Sequence, residues 1–180
     1  KNISRLVTNA RMESIRGVPS IPWSTVQMHS DGIFCLSGGS RGSLYKSVSR
    51  QDELSARRIT RALYSVYEER FAIEVVHHGI ASEMECAQTA IRYAQEMKIP
   101  WVVANDTRYA RVQDREVYDV LRCINARQRM STAGDLLHPN AEWSLRPRTE
   151  LWSRWSDAPE GLIESIRIAE RCEFRLGMLD

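Results

Sequence analysis

The chain has 180 residues, 43% hydrophobic and 27% charged, with a formal net charge of +2. That is enough polypeptide for one core-forming domain, in the balance of an ordinary soluble globular protein. The charge is too small to argue for nucleic acid by itself, and no apolar run reaches the ~18 residues of a membrane span.

The opening stretch KNISRLVTNARMESIRG puts Ile3, Leu6, Val7 and Ala10 on one helical face. It reads as the middle of a helix, with no leader pattern and no strand before it, so the chain is expected to be a piece of a longer polypeptide. A Pro-rich connection, 17–24, follows. Asp31-Gly32 is a turn signal and 33–36 a short buried strand. Residues 37–43, rich in Gly and Ser, read as a flexible loop. They lack the phosphate-cradle patterns G-x-x-x-x-G-K-[ST] and G-x-G-x-x-G. Asp52 is the expected N-cap of a helix to about Arg70, with Ile59, Leu63, Val66 and Tyr67 inward. FAIEVV, 71–76, reads as a strand. Ser82 and Glu85 fit a capping box for the next helix, whose stripe is Met84, Ala87, Ile91 and Ala94. IPWVVA is a third strand, with Pro100 at its entry. A helix over 113–126 carries Val117, Val120, Leu121 and Ile124. A polar loop follows, and Asp157 is expected to cap a last helix over 159–172.

Strand, helix, strand, helix, strand, helix is the pattern of parallel strands with covering helices. Three such units cannot close a barrel, so they read as the later part of one or as part of an open sheet. In either case the chemistry lies at the carboxyl ends of the strands. Three loops qualify: Ser37-Gly38-Gly39, His77-His78-Gly79 and Asn105-Asp106-Thr107-Arg108. His78 and Asp106 are the candidate metal ligands, because neutral imidazole and carboxylate suit Zn, Mn or Fe. Against that, paired histidines at a strand end are commonly part-exposed polar residues, and an Asp after a strand is commonly a turn former. His29 and His138 are assigned to the surface. Cys35, Cys86, Cys123 and Cys172 are too widely spaced for a zinc cluster and read as reduced thiols. Arg41, Lys46, Arg50, Arg57, Arg58 and Arg61 read as a solvated helix face, since Asp52 and Glu53 interrupt them and no aromatics interleave.

The stretches NISRLVT, IFCLSGGSRG, FAIEVVHHG, IPWVVANDTRYARVQDREVYDVLRCI and PEGLIESIRIAERCEF occur in that order. Together they resemble the PHP (polymerase and histidinol phosphatase) domain of bacterial C-family DNA polymerases, the polymerase III alpha subunit family. LHPNAEWSLRPRTELWSRW is most like the error-prone branch. The resemblance implies an α/β fold: the later part of a distorted (βα)7 barrel with parallel strands and covering helices, plus a C-terminal helical connector. Residues 1–130 would be the C-terminal part of the PHP domain, with its upstream strands missing. Residues 131–180 would be the connector leading toward the polymerase module.

In the family a metal cluster at the strand ends serves phosphoester hydrolysis, including 3′–5′ exonuclease proofreading. The resemblance matches the family's His-Gly turn to His78 and Gly79, and its Asn-Asp-x-His-Tyr motif to 105–109. There Asp106 remains and the partner His is Arg108. The family's Cys and Glu after the LSG strand are Gly39 and Ser43 here. Arginine has no free lone pair for a metal, so Arg108 is expected to pair with Asp106 and the site reads as one that has lost its chemistry. The implied function is a non-catalytic, structural part of an error-prone DNA polymerase, a cytoplasmic nucleotidyltransferase of replication and repair. No cofactor is expected in these residues, and a divalent metal (Zn, Mn or Mg) in a complete domain. The implied partners are the polymerase module of the same chain and, through it, DNA, with no membrane. Two alternatives stand beside it: a metal-dependent phosphoesterase or exonuclease with a reduced site, and an interaction module with no polymerase attached.

Overall fold

The computed structural model describes residues 1–14 and 17–173. The far ends of the expected opening helix (15–16) and of the expected connector (174–180, with the last residue of the PEGLIESIRIAERCEF stretch) lie outside them. Strands β1 (Cys35–Leu36), β2 (Phe71–Val75) and β3 (Trp101–Val103) form a parallel sheet in the order β1-β2-β3. Cys35 pairs with Phe71, and Ile73 with Trp101. The helices are α1 (Asn2–Met12), α2 (Trp23–Met28), α3 (Ser43–Ser49), α4 (Glu53–Tyr67), α5 (Ala81–Met97), α6 (Arg115–Ala126), α7 (Arg148–Arg154) and α8 (Glu160–Arg171). This is the α/β pattern that the sequence order implies, built on a small sheet.

Strands covered on both faces need near-continuous apolar runs. Phe71, Ala72, Ile73 and Val75 of β2 are all buried, and so are the three residues of β3. Leu44 and Val48 of α3, Ala56 of α4 and Ala87, Ala90 and Ala94 of α5 complete the packing. On α5 small residues let the helix approach β2 closely. α8 reaches β3 through Gly161, which lies flat against the Trp101 ring.

Local signals succeed where the side chain sits at the cap itself. Asp52 accepts the Ser55 N–H at 3.0 Å, as the sequence predicts. Two other caps are corrected. α5 starts at Ala81 with Ile80 at its cap, so Ser82 lies inside the first turn and cannot cap it. Glu83, rather than Glu85, turns back, and it does so onto the His78 amide. α8 starts after Pro159, two residues too late for Asp157 to cap it. Residues 39–41 form a 3-10 turn running into α3, not a loose loop. The sequence reading has no counterpart to α2, α3 or α7.

The apolar stripe of α6 falls on the residues the sequence marks, but among the described residues nothing buries it. Val117, Val120, Leu121 and Ile124 are 38–67% exposed, while the buried residues of this helix are Asp119 and Cys123. Periodicity reports that a face is apolar, not that something covers it. Leu121→Lys and Ile124→Lys should therefore shift the stability of this chain by no more than about 0.5 kcal/mol in urea unfolding. A loss of about 2 kcal/mol or more would return the stripe to the core.

Candidate functional site at the strand ends

His78 follows β2 and is fully buried. Its Nδ1 lies 3.0 Å from Glu83 Oε2 and 3.2 Å from Oε1, and its Nε2 lies 3.0 Å from the Asn105 carbonyl oxygen. The His78 amide donates to Glu83 Oε2 at 2.8 Å. Both ring nitrogens face acceptors, an arrangement that favours the doubly protonated imidazolium. Burial opposes that charge. The Glu83 carboxylate and the Asn105 carbonyl outweigh burial, and the His78 pKa is raised above its ordinary value. Burial likewise works against ionised Glu83, yet the His78 ring and amide hold its carboxyl below the usual range. The result is a buried ion pair between the β2 turn and the first turn of α5.

Two expectations about histidines are corrected here. His78 is interior rather than part-exposed. His138 is also buried, not on the surface. The polar stretch around it folds back over the strand ends: the Asp119 carboxylate accepts the His138 N–H at 3.1 Å, and the imidazole stacks on Trp143 with centroids 4.2 Å apart. The opposite neighbour of Trp143 is His78, at 4.1 Å with planes 10° apart. Composition marks such a stretch as loop, and only its Trp and His hint that it is packed.

Asp106 ends the apolar run of β3 in a left-handed conformation, φ 42°, which Asp and Asn tolerate better than other side chains. Its Oδ1 is 2.5 Å from Arg108 Nη2, the pair expected from sequence. It is also 3.2 Å from Arg41 Nη2, a partner that sequence reasoning missed. Arg41 lies 65 positions away, in the loop after β1. The signal available for it was topological: loops at the carboxyl ends of parallel strands converge. Glu74 stands nearby on β2. Burial pushes its carboxyl up, against a hydrogen bond from the Gly38 amide. Gly39 sits at φ +51°, and a Cβ there would meet Glu74 Oε1 at 3.0 Å. A cysteine at this position does not fit the local backbone.

With Arg41 in place, Arg108→Ala leaves Asp106 partly buried and still paired. The expected cost is below about 1 kcal/mol, the range of exposed pairs. The Arg41→Ala/Arg108→Ala double variant should lose more than the two single variants added together. Strict additivity in thermal unfolding would mean that the two guanidiniums do not share one carboxylate.

A metal ion would need a lone pair from His78 and free oxygens on Asp106. Both His78 nitrogens are already engaged with acceptors, and one Asp106 oxygen is held by two guanidiniums. As arranged, these side chains do not fit a metal. Among the described residues, no group of three or more His, Cys, Asp or Glu side chains could hold one. What the arrangement does is join the first and third strand-end loops through the Arg41–Asp106 pair, and the second and third through the contact of His78 Nε2 with the Asn105 carbonyl. Elsewhere Arg57 is spent on Glu53 and Glu96, so part of the basic stretch is structural. Cys86 and Cys123 are buried free thiols. No helix among the described residues is long and apolar enough to cross a membrane.

No family model matches the chain. Individual proteins do. The DNA polymerase III subunit alpha of Treponema pallidum (strain Nichols) is 30% identical over 180 residues, 98% of this chain and 15% of the relative. The error-prone DNA polymerase of Anaeromyxobacter dehalogenans (strain 2CP-C) is 30% identical over 183 residues, 97% of this chain and 15% of the relative. The DNA polymerase III subunit alpha of Borreliella burgdorferi matches at 24% over 173 residues. The chain thus spans about 15% of the length of the curated relatives it matches. Nearly the whole chain is homologous to one segment of the longer DNA polymerase III alpha subunits and error-prone DNA polymerases.

Proposed function

We propose that this chain is the later part of a PHP domain from a C-family DNA polymerase, most like the error-prone branch. In this reading residues 1–130 belong to the PHP barrel and 131–180 to the connector toward the polymerase module. The segment carries no catalytic chemistry of its own and serves as structural support. Its partner is the polymerase module of the same polypeptide, which in turn handles DNA.

One observation supports the structural role above the others. The family's candidate ligand positions are engaged in pairs: His78 lies between the Glu83 carboxylate and the Asn105 carbonyl, and Asp106 pairs with Arg108 and Arg41. A metal centre lowers the pKa of a bound water and neutralises phosphate charge, and neither is available from side chains paired in this way.

The test is metal content by plasma mass spectrometry after equilibration with Zn, Mn or Mg and desalting. It is run on this chain and on the parent protein, with an exonuclease assay on a 3′-recessed duplex alongside. The expected result is sub-stoichiometric metal, unchanged by His78→Gln or Asp106→Asn, and no nuclease activity from the PHP segment. One or more bound ions lost on those replacements would favour the reduced-site phosphoesterase instead.

A further inference from the structure

Residues 138–146 cross the strand ends as a strap without a regular ladder. Among the described residues, the one β-bridge to it is Tyr109 with Ser144. Its other ties alternate between backbone and side chain. The Arg108 amide donates to the Trp143 carbonyl at 2.8 Å, and the Leu145 amide to the Tyr109 carbonyl at 3.0 Å. The Asn105 side chain donates to the Ser144 carbonyl at 2.8 Å, and the Asn140 side chain to the His78 carbonyl at 2.7 Å. Two large side chains of the strap are buried: Trp143, its indole stacked on the rings of both His78 and His138, and His138, whose backbone N–H is held by Asp119. Leu145 points outward and is mostly exposed.

The two ends of the strap are built for a change of direction. Gly134 upstream has φ +49° and open space where a Cβ would lie, and Pro147 downstream caps α7. The sheet beneath is held differently, by continuous apolar burial in β2 and β3. An element held by two aromatic rings and few ladder bonds opens at lower free energy than such a sheet.

We propose that residues 138–146 are a cover that opens as a separate unit, with Trp143 as its latch, and that its opening exposes His78 and the strand-end turns. The closed cover keeps water and ions away from the His78 ring. The inference does not depend on which polymerase branch the chain comes from.

Native-state hydrogen exchange on the intact 180-residue chain tests it, with rates corrected for intrinsic exchange. The Arg108 and Leu145 amides, bonded across the strap, should exchange at one common rate. That rate should be at least tenfold faster than for the Ile73 and Ala104 amides, which are bonded within the sheet to Pro100 and Val75. Trp143→Ala should speed the first pair more than tenfold and leave the second pair unchanged. At a pH above the His78 titration, where the ring has a free lone pair, His78 should then become open to diethyl pyrocarbonate, and Trp143→Phe should fall between. Equal rates for all four amides in the parent would overturn the proposal, and this comparison needs no variant to fold. Uniform acceleration by Trp143→Ala would overturn it too, by making the strap part of the core.

Discussion

Changing His78 to Leu should lower stability by about 3–5 kcal/mol, the cost of leaving one half of a buried ion pair behind. For a chain of this size that is a fall in Tm of about 6–20 °C. The loss comes from Glu83, which stays buried with its charge and keeps only the backbone amide at position 78 as a partner. Removing the stranded charge should therefore recover stability. In His78→Leu/Glu83→Gln the amide oxygen of Gln still accepts that backbone N–H, while no buried charge remains. The double variant should regain about half of the loss, because a buried pair replaced by neutral groups of similar size is often close to neutral. A loss under about 1 kcal/mol for His78→Leu would mean that the ring and carboxylate are not paired in solution. So would a double variant that merely adds the two single losses.

The same pair fixes a pH window. Glu83 has a lowered carboxyl pKa, so its contribution is present above the ordinary value of 4.5 and is lost as pH falls through the folded value. His78 has a raised pKa, so its contribution is full below the ordinary value of 6.5 and is lost as pH rises through the folded value. The stability difference between the parent and His78→Leu/Glu83→Gln should be widest between about pH 4.5 and 6.5 and narrow on both sides. Urea unfolding across pH 3–9 measures it, and a flat difference would remove the pair from the account.

The sequence made the sheet legible because buried parallel strands must be apolar runs, and FAIEVV and IPWVVA are such runs. It made the loop ends legible as well: His78 and Asp106 were found from their place after a strand. What it could not carry was the set of partners. Glu83 sits five residues from His78 but was hidden behind a capping box assigned to Ser82 and Glu85. Arg41 is distant in sequence and looked like one more solvated cation. Trp143 and His138 lie in a stretch whose composition is that of a surface loop. In each case a long-range contact, invisible to local propensity, decides between the surface and the interior. The α6 stripe is the opposite failure, since its local pattern is perfect and its burial is absent.

The second large effect lies where α8 meets the sheet. A Cβ on Gly161 would stand 2.1 Å from Trp101 Cζ3 and 2.6 Å from Cε3. Those atoms belong to a rigid ring rather than to the free end of a flexible chain, and the ring is itself buried against Trp155 at a centroid distance of 6.3 Å. Neither partner can give way without moving α8 off β3. Gly161→Ala improves helix propensity by about 1 kcal/mol in an exposed setting. Overpacking of a close-packed core costs about 1–3 kcal/mol and occasionally more, and a contact this short belongs at the upper end. The net expectation is destabilisation by about 2 kcal/mol or more, a fall in Tm of at least about 4 °C. Trp101→Leu in the same chain should relieve the collision, so the double variant should be more stable than the sum of the two single losses. Gly161→Ala with an unchanged or raised Tm would mean that α8 does not rest on β3, and that the segment from 148 onward is a separate body rather than part of the sheet's cover.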